Sequence, residues 1–179
     1  MKQEEVQKEL NRFRDYVVKQ AKYNLVRKHK ISTKSLYNSI KGNVKAMPNS
    51  FSMDFSMEEY GLYQDKGVKG KTSSSKAPQS PYKFGTGTGK KGGLTSGINK
   101  WVKKKRFQFK NKETGKFLSY DSTAFLITRS IYNKGMKPSL FFTKPFEEAY
   151  KRLPKDLVEA FGLDAIKLFN TTTFPKQIK

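Results

Sequence analysis

Cysteine is absent from this sequence, and histidine occurs once, at position 29. Those two facts exclude a disulfide framework, a thiolate nucleophile and a zinc finger, and leave a Ser-His-Asp triad only His29 to work with. Acidic residues are scarce: 15 Asp and Glu stand against 37 Lys and Arg, a formal charge of +22. A surface of that sign attracts nucleic acid, an anionic membrane face or an acidic protein, and charge alone does not choose among them. Long apolar runs are also missing. No stretch approaches the ~18 residues that mark a bilayer span, and the opening MKQEEVQKEL is a mixed-charge run unlike a signal peptide. A soluble protein made in the cytoplasm, without a membrane partner, is the expectation. At 179 residues the chain is expected to form one domain with a real core.

What is present reads as a succession of short elements. Over residues 3–28, Val6, Leu10, Phe13, Val17, Ala21 and Leu25 recur every third or fourth position, which predicts a long helix with one apolar stripe. Ser32 or Thr33 caps a short second helix carrying Leu36, Tyr37 and Ile40, ended by Gly42. Phe51, Met53, Phe55 and Met57 then alternate with polar residues, after Val44 and Ala46. With Pro48-Asn49-Ser50 as the turn, they predict an antiparallel hairpin whose apolar side chains share one face. EEYGLYQDKG, residues 58–67, follows as a short helix or turn closed by Gly67, with Tyr60 and Tyr63 on one side.

The charge concentrates in the middle of the chain. Residues 69–137 hold 17 basic and 2 acidic side chains. Residues 69–93, with six lysines, no acid and few apolar side chains, read as a long mobile loop. Leu94, Ile98, Trp101 and Val102 mark an amphipathic helix whose other face and end are Lys100, Lys103, Lys104, Lys105 and Arg106. A second hairpin runs through Phe107, Phe109 and the 117–120 return, and Asp121 or Ser122 caps a helix over 124–133 that Gly135 stops. Leu140-Phe141-Phe142 predicts a last short strand. Thr143 caps a helix with Pro145 in its first turn, and Pro154 kinks or restarts it before Leu157, Phe161, Leu168 and Phe169. A C-terminal tail is expected over residues 166–179, free after Asn170.

Few motifs carry chemistry. GTGTGKK at 85–91 resembles a phosphate loop, but Phe84 stands where the first glycine belongs and Lys91 replaces the magnesium-holding Ser or Thr. Asp54 with Glu58 or Glu59 near Lys66 is the one grouping that suggests a metal-dependent nuclease, and its alternation places Asp54 on the polar face of a strand. His29 reads as an exposed structural residue at a helix end. No catalytic residue, metal ligand or cofactor is assigned, and no enzyme is expected. Residues 100–106 with Trp101, Phe107 and Phe109 give the strongest electrostatic signal. Their cations neutralise phosphates and their rings stack on bases, or the rings face the core and the lysines are only a solvated edge.

The order of elements resembles the minor head–tail joining proteins of tailed bacteriophages, also called neck or tail-completion proteins. That family carries a Y-x-x-Y-x-(E/D)-x-G stretch before a variable loop, matched here by Tyr60, Tyr63, Asp65 and Gly67. It also carries a P-x-x-F-x-x-P stretch before the last helix, matched with altered spacing by Pro138, Phe141, Phe142 and Pro145. The resemblance spans residues 1–165. It implies an α+β fold: an antiparallel sheet of hairpins packed with long N-terminal and C-terminal helices, and a basic loop. It further implies a structural virion protein, made in the host cytoplasm, that forms a ring of six or twelve subunits at the head–tail junction. Such a ring docks on portal or adaptor and tail proteins around the DNA channel. On that reading Leu10, Phe13, Val17, Tyr60, Tyr63, Phe142, Phe146 and Phe161 serve protein interfaces. Lys69, Lys71, Lys76, Lys90 and Lys91 of the loop, with Lys100, Lys103, Lys104, Lys105 and Arg106, meet DNA or acidic partners. The alternative is a non-specific nucleic-acid-binding protein that uses the basic 69–116 region.

Overall fold

The apolar stripe of the first thirty residues becomes helix α1, Glu4–Arg27, and all six stripe residues are buried. Glu4 and Glu5 in its first turn and Arg27 in its last complement the helix dipole. The computed structural model describes residues 4–30, 34–47, 50–87 and 92–173, with the backbone alone for Ala46 and 167–173. Among the described residues, seven helices and a two-stranded antiparallel sheet make an α+β fold. Where a single domain was expected, two compact units are found: Met1–Glu58 with Leu140–Lys179, and Glu59–Ser139.

The first unit is built on α1. Its N-terminal half, with Val6, Leu10, Phe13 and Val17, packs on the hairpin of β1 (Lys41–Met47) and β2 (Ser50–Ser56) and on helices α6 (Thr143–Tyr150) and α7 (Leu153–Thr173). Its C-terminal half encloses Ala21 and Leu25 with Phe141 and with Leu36 and Ile40 around helix α2 (Ser35–Ser39). Each large side chain buried this way contributes about 1.5–3 kcal/mol. Phe13, Phe55, Phe142 and Phe146 meet at centroid distances of 5.3 to 6.4 Å, edge-on except for the stacked Phe142–Phe146 pair, which locks hairpin, α1 and α6 together. The expected antiparallel hairpin forms, with Val44 opposite Met53 and Ala46 opposite Phe51; Ser50, expected in the turn, begins β2 opposite Met47, and Phe51 stays half exposed. Pro48 and Asn49 lie outside the described residues.

A buried carboxylate ties the two ends of this unit. Asp164 of α7 accepts hydrogen bonds from the Glu5 and Val6 backbone N–H groups at 3.1 and 3.2 Å, so a side chain 158 positions away caps the first turn of α1. Asp164→Ala should cost about 1–2 kcal/mol, read as a lower midpoint in urea unfolding with an unchanged slope. A midpoint equal to the parent's would remove this role.

The second unit contains α3 (Tyr60–Lys66), α4 (Gly93–Lys105) and α5 (Tyr120–Lys134). Residues 68–87 are built into it, against the expectation of a mobile loop. Val68 bridges Met136, Lys69 bridges Lys83, and the Lys71 and Thr72 N–H groups donate to the Tyr132 and Asn133 carbonyls at 2.8 and 3.2 Å. Ala77 and Ser80 are buried, and the Ser80 hydroxyl donates to the Gly67 carbonyl at 2.7 Å. Backbone hydrogen bonds organise this stretch, which composition does not reveal.

Several boundaries also differ from expectation. α2 is preceded by Lys34 in the left-handed region, Ser32 and Thr33 lie outside the described residues, and Gly42 sits inside β1 opposite Phe55. Ser119, not Asp121 or Ser122, caps α5, accepting from the Ser122 N–H at 3.1 Å. Ser119→Ala should therefore cost about 1 kcal/mol by the same unfolding measurement, and no loss would refute the cap. The second hairpin survives as a single bridge, Lys110 to Phe117. Residues 140–142 form a turn with Leu140 at φ 50, not a strand, and Thr143 is the first residue of α6 instead of its cap. Pro154 does restart the helix, but α7 continues to Thr173, through most of the expected tail.

Candidate interaction surfaces

In the second unit, α4 packs on α5, with Val102 fully buried and Thr123 and Ala124 buried on the α5 side. The Asn99 amide donates to the Asp121 carboxylate, and Lys103 lies 3.7 Å from it. These two partners, the Asn99 bond first, hold the Asp121 carboxyl below its ordinary pKa. The folded-state value is depressed, so any stabilisation from this pairing is present above the ordinary carboxylate range. It fades as pH falls through the lowered value.

α4 ends where Arg106 enters the left-handed region at φ 51. The chain then reverses, with the Phe107 N–H donating to the Val102 carbonyl at 3.0 Å. The next segment is pinned to α5 and to its own return. Phe109 N–H donates to the Thr123 hydroxyl at 3.3 Å, Leu118 N–H to the Phe109 carbonyl at 2.8 Å, and the Gln108 amide to the Leu118 carbonyl at 2.7 Å. The Asn111 carboxamide closes the turn by accepting from the Glu113 and Thr114 N–H groups.

This scaffold holds aromatic rings in water. Trp101 and Phe107 lie 6.1 Å apart and Phe107 and Phe109 5.2 Å, with 38%, 41% and 38% of their surface exposed. Phe117 is 64% exposed, with the Lys110 ammonium 5.0 Å above its ring. Residues 100–117 carry eight basic side chains and one acid, Glu113. Of the two readings of this segment, the core-facing one therefore fails, since only Val102 of α4 is buried. Phe117 escaped sequence reasoning because it reads as an ordinary strand residue. Its place across from Lys110 was the available signal.

The other cations are dispersed in role. Lys69 and Lys76 are half-buried within the folded 68–87 stretch, and Lys71 lies 6.0 Å over the Tyr132 ring. Lys90 and Lys91 lie outside the described residues. Lys100, Lys103, Lys104, Lys105 and Arg106 are exposed as expected.

The expected interface residues divide. Leu10, Phe13 and Val17 are enclosed by their own chain, and Phe142 and Phe146 belong to the aromatic knot of the first unit. That is a correction: periodicity shows that a stripe is buried, not what buries it. Tyr60 is 40% exposed. Tyr63 is half-buried, its ring 4.7 Å from Tyr82 and its hydroxyl donating to Glu59, whose negative charge pushes the phenol pKa up. Phe161 is exposed, and it does not stand alone. Val158, Phe161, Leu163 and Ile166 leave 75%, 52%, 47% and 59% of their surface in water, an apolar face of α7 opposite the buried Leu153, Ala160 and Asp164. Three of these four were overlooked, although α7 has more apolar positions than one buried stripe needs.

The grouping that suggested a nuclease is not assembled as a site. Asp54 is exposed on β2, Glu58 accepts from Ser35, and Glu59 is taken by Tyr63. Among the described residues no three His, Asp or Glu side chains are placed to hold a metal ion, and no helix is long and apolar enough to cross a membrane. His29 is exposed beyond the end of α1, in the left-handed region at φ 52.

Of the second stretch that carries the phage resemblance, only its start at Pro138 lies in the second unit, beside the Tyr60–Gly67 stretch; Phe141, Phe142 and Pro145 belong to the first unit. The Ser139 N–H and hydroxyl both donate to the Gln64 carbonyl, at 3.0 and 2.7 Å, across 75 positions of sequence. Gly67, at φ 70, lies so close that a Cβ there would fall 2.6 Å from the Met136 carbonyl and 2.7 Å from the Pro138 nitrogen. No protein-family model, curated protein or solved structure matches the chain.

Proposed function

We propose that this chain is a structural head–tail joining protein of a tailed bacteriophage, assembling into a ring between portal or adaptor and tail. The observation that carries the reading is the contact between the first resemblance-bearing stretch and the start of the second. Gln64 at the end of α3 accepts from Ser139, and Gly67 lies against Met136 and Pro138, although the segments are far apart in sequence. The apolar face of α7 supports the contact role, because apolar area of this kind on a surface is usually covered by another protein. A head-to-tail contact through it closes into a ring when the rotation between neighbours permits.

Light scattering on the purified protein should give a mass several times that of the 20.6 kDa chain. The pair Val158→Asp and Phe161→Asp should reduce the assembly to subunits while circular dichroism stays native, since both positions are already wet. Particles produced without the chain should be filled heads lacking tails. A persistent monomer, together with normally tailed particles in its absence, would end the proposal.

A further inference from the structure

The rings beside α4 are exposed by construction, not by accident of a loose loop. Arg106 turns the chain back, the Phe107 and Phe109 backbones are hydrogen-bonded to α4 and α5, and the 109–118 return is closed by Asn111. The rings nevertheless keep 38% to 64% of their surface in solvent, in a segment with eight cations and one acid. We propose that this surface of the second unit binds single-stranded nucleic acid, with bases stacked on Trp101 and Phe117 and phosphates neutralised by the flanking lysines.

Charge complementarity makes the occupant an anion, and the rings choose which one. A duplex hides its base faces inside the stack, so it would engage the lysines and leave the aromatic faces in water. An acidic protein matches the charge but brings no series of planar faces. A single strand offers both in alternation: a phosphate at each step and a π-face at each base, whatever its sequence. Lys110 stands 5.0 Å over the Phe117 ring, which is 64% exposed, so a base stacked on that ring would bring its phosphate within reach of the flexible lysine stem. Binding is therefore expected to be insensitive to sequence and sensitive to salt.

Trp101 is the sole tryptophan of the chain, so its emission reports on the site itself. Titration of the intact protein with a 15-nucleotide dT strand should quench that emission. An abasic strand of the same length should bind about tenfold more weakly and leave the emission unchanged. Phe117→Ala should lower dT affinity about tenfold without altering abasic binding, and Phe117→Tyr should retain the parent affinity. Phe117 is the most exposed of the four rings, so truncating it should leave the fold intact by circular dichroism. Should it not, Phe107→Ala gives the same comparison. Lys100→Gln with Lys105→Gln should flatten the logarithmic salt dependence by about 1.4, the value for two phosphates of a single strand. Equal affinity for dT and abasic strands would overturn the proposal, as would tighter binding of a duplex or of polyglutamate than of dT. Every probe is added to the isolated protein, so the result is independent of whether the chain joins heads to tails.

Discussion

Alanine at position 70 should cost the second unit about 3 kcal/mol and lower its thermal midpoint by roughly 10 °C. Gly70 and Gly135 lie back to back. A Cβ on Gly70 would stand 2.0 Å from the Asn133 carbonyl oxygen and 2.7 Å from the Gly135 nitrogen, and both obstacles are backbone that cannot swing aside. The same carbonyl accepts the Thr72 and Ser73 N–H groups and the Thr72 hydroxyl, while Lys71 N–H reaches the Tyr132 carbonyl. Lifting residue 70 away therefore breaks the bonds that fasten the 68–87 stretch to α5, each worth about 0.5–1.5 kcal/mol. Gly135→Ala should be as severe, because its φ of 78 adds backbone strain to a clash with the Val68 carbonyl at 2.3 Å. Gly97 is the contrast. It lies within α4 with nothing within 4 Å of a built Cβ, so Gly97→Ala should stabilise by about 0.5–1 kcal/mol. Thermal melts checked by amide exchange over 68–84 would decide, and a Gly70→Ala protein that melts with the parent would show that the stretch is not docked as described.

That stretch also marks where sequence reasoning stopped. Its lysines, serines and glycines argue for disorder on composition, because few side chains repay the entropy of ordering. What orders it is a set of main-chain hydrogen bonds and a glycine-to-glycine approach, and neither leaves a periodic trace. α1 was legible for the opposite reason. Six apolar residues at helical spacing permit only one buried face, and the pairing of β1 with β2 as an antiparallel hairpin followed from the alternation of apolar residues on either side of Pro48. The division into units at Glu58 and Leu140 was not read from the sequence, although the excess of cations over residues 69–137 falls within the second unit. Capping misled in a third way. Ser119, Asp121 and Ser122 are all competent caps, and which one serves depends on where the preceding return delivers the chain. At the candidate surface, the cations of α4 were plain from the sequence. The exposure of Trp101, Phe107 and Phe109 was open until Val102 alone proved to be the buried face.

Leu10→Asp should unfold the first unit outright. The side chain is fully buried between α1 and the α6, α7 and hairpin residues of its own cluster. Leu10→Ala alone should remove about 3–4 kcal/mol, by lost transfer and residual cavity. Aspartate adds an unpaired carboxylate to an apolar site, which exceeds the stability that most domains of this size possess. The result separates two meanings of an amphipathic helix. Were the α1 stripe a contact between subunits, Leu10→Asp would yield folded monomers with native helicity and a lower mass in light scattering. With the stripe closed by its own chain, the same change should instead lower the helical signal at 222 nm to that of α3, α4 and α5 and expose the apolar cluster to dye. Val158→Asp on α7, at a side chain already 75% exposed, is expected to do the reverse: it preserves the circular dichroism and alters only association. The two substitutions introduce the same charge into helices that pack on each other, so the difference between them measures burial and nothing else.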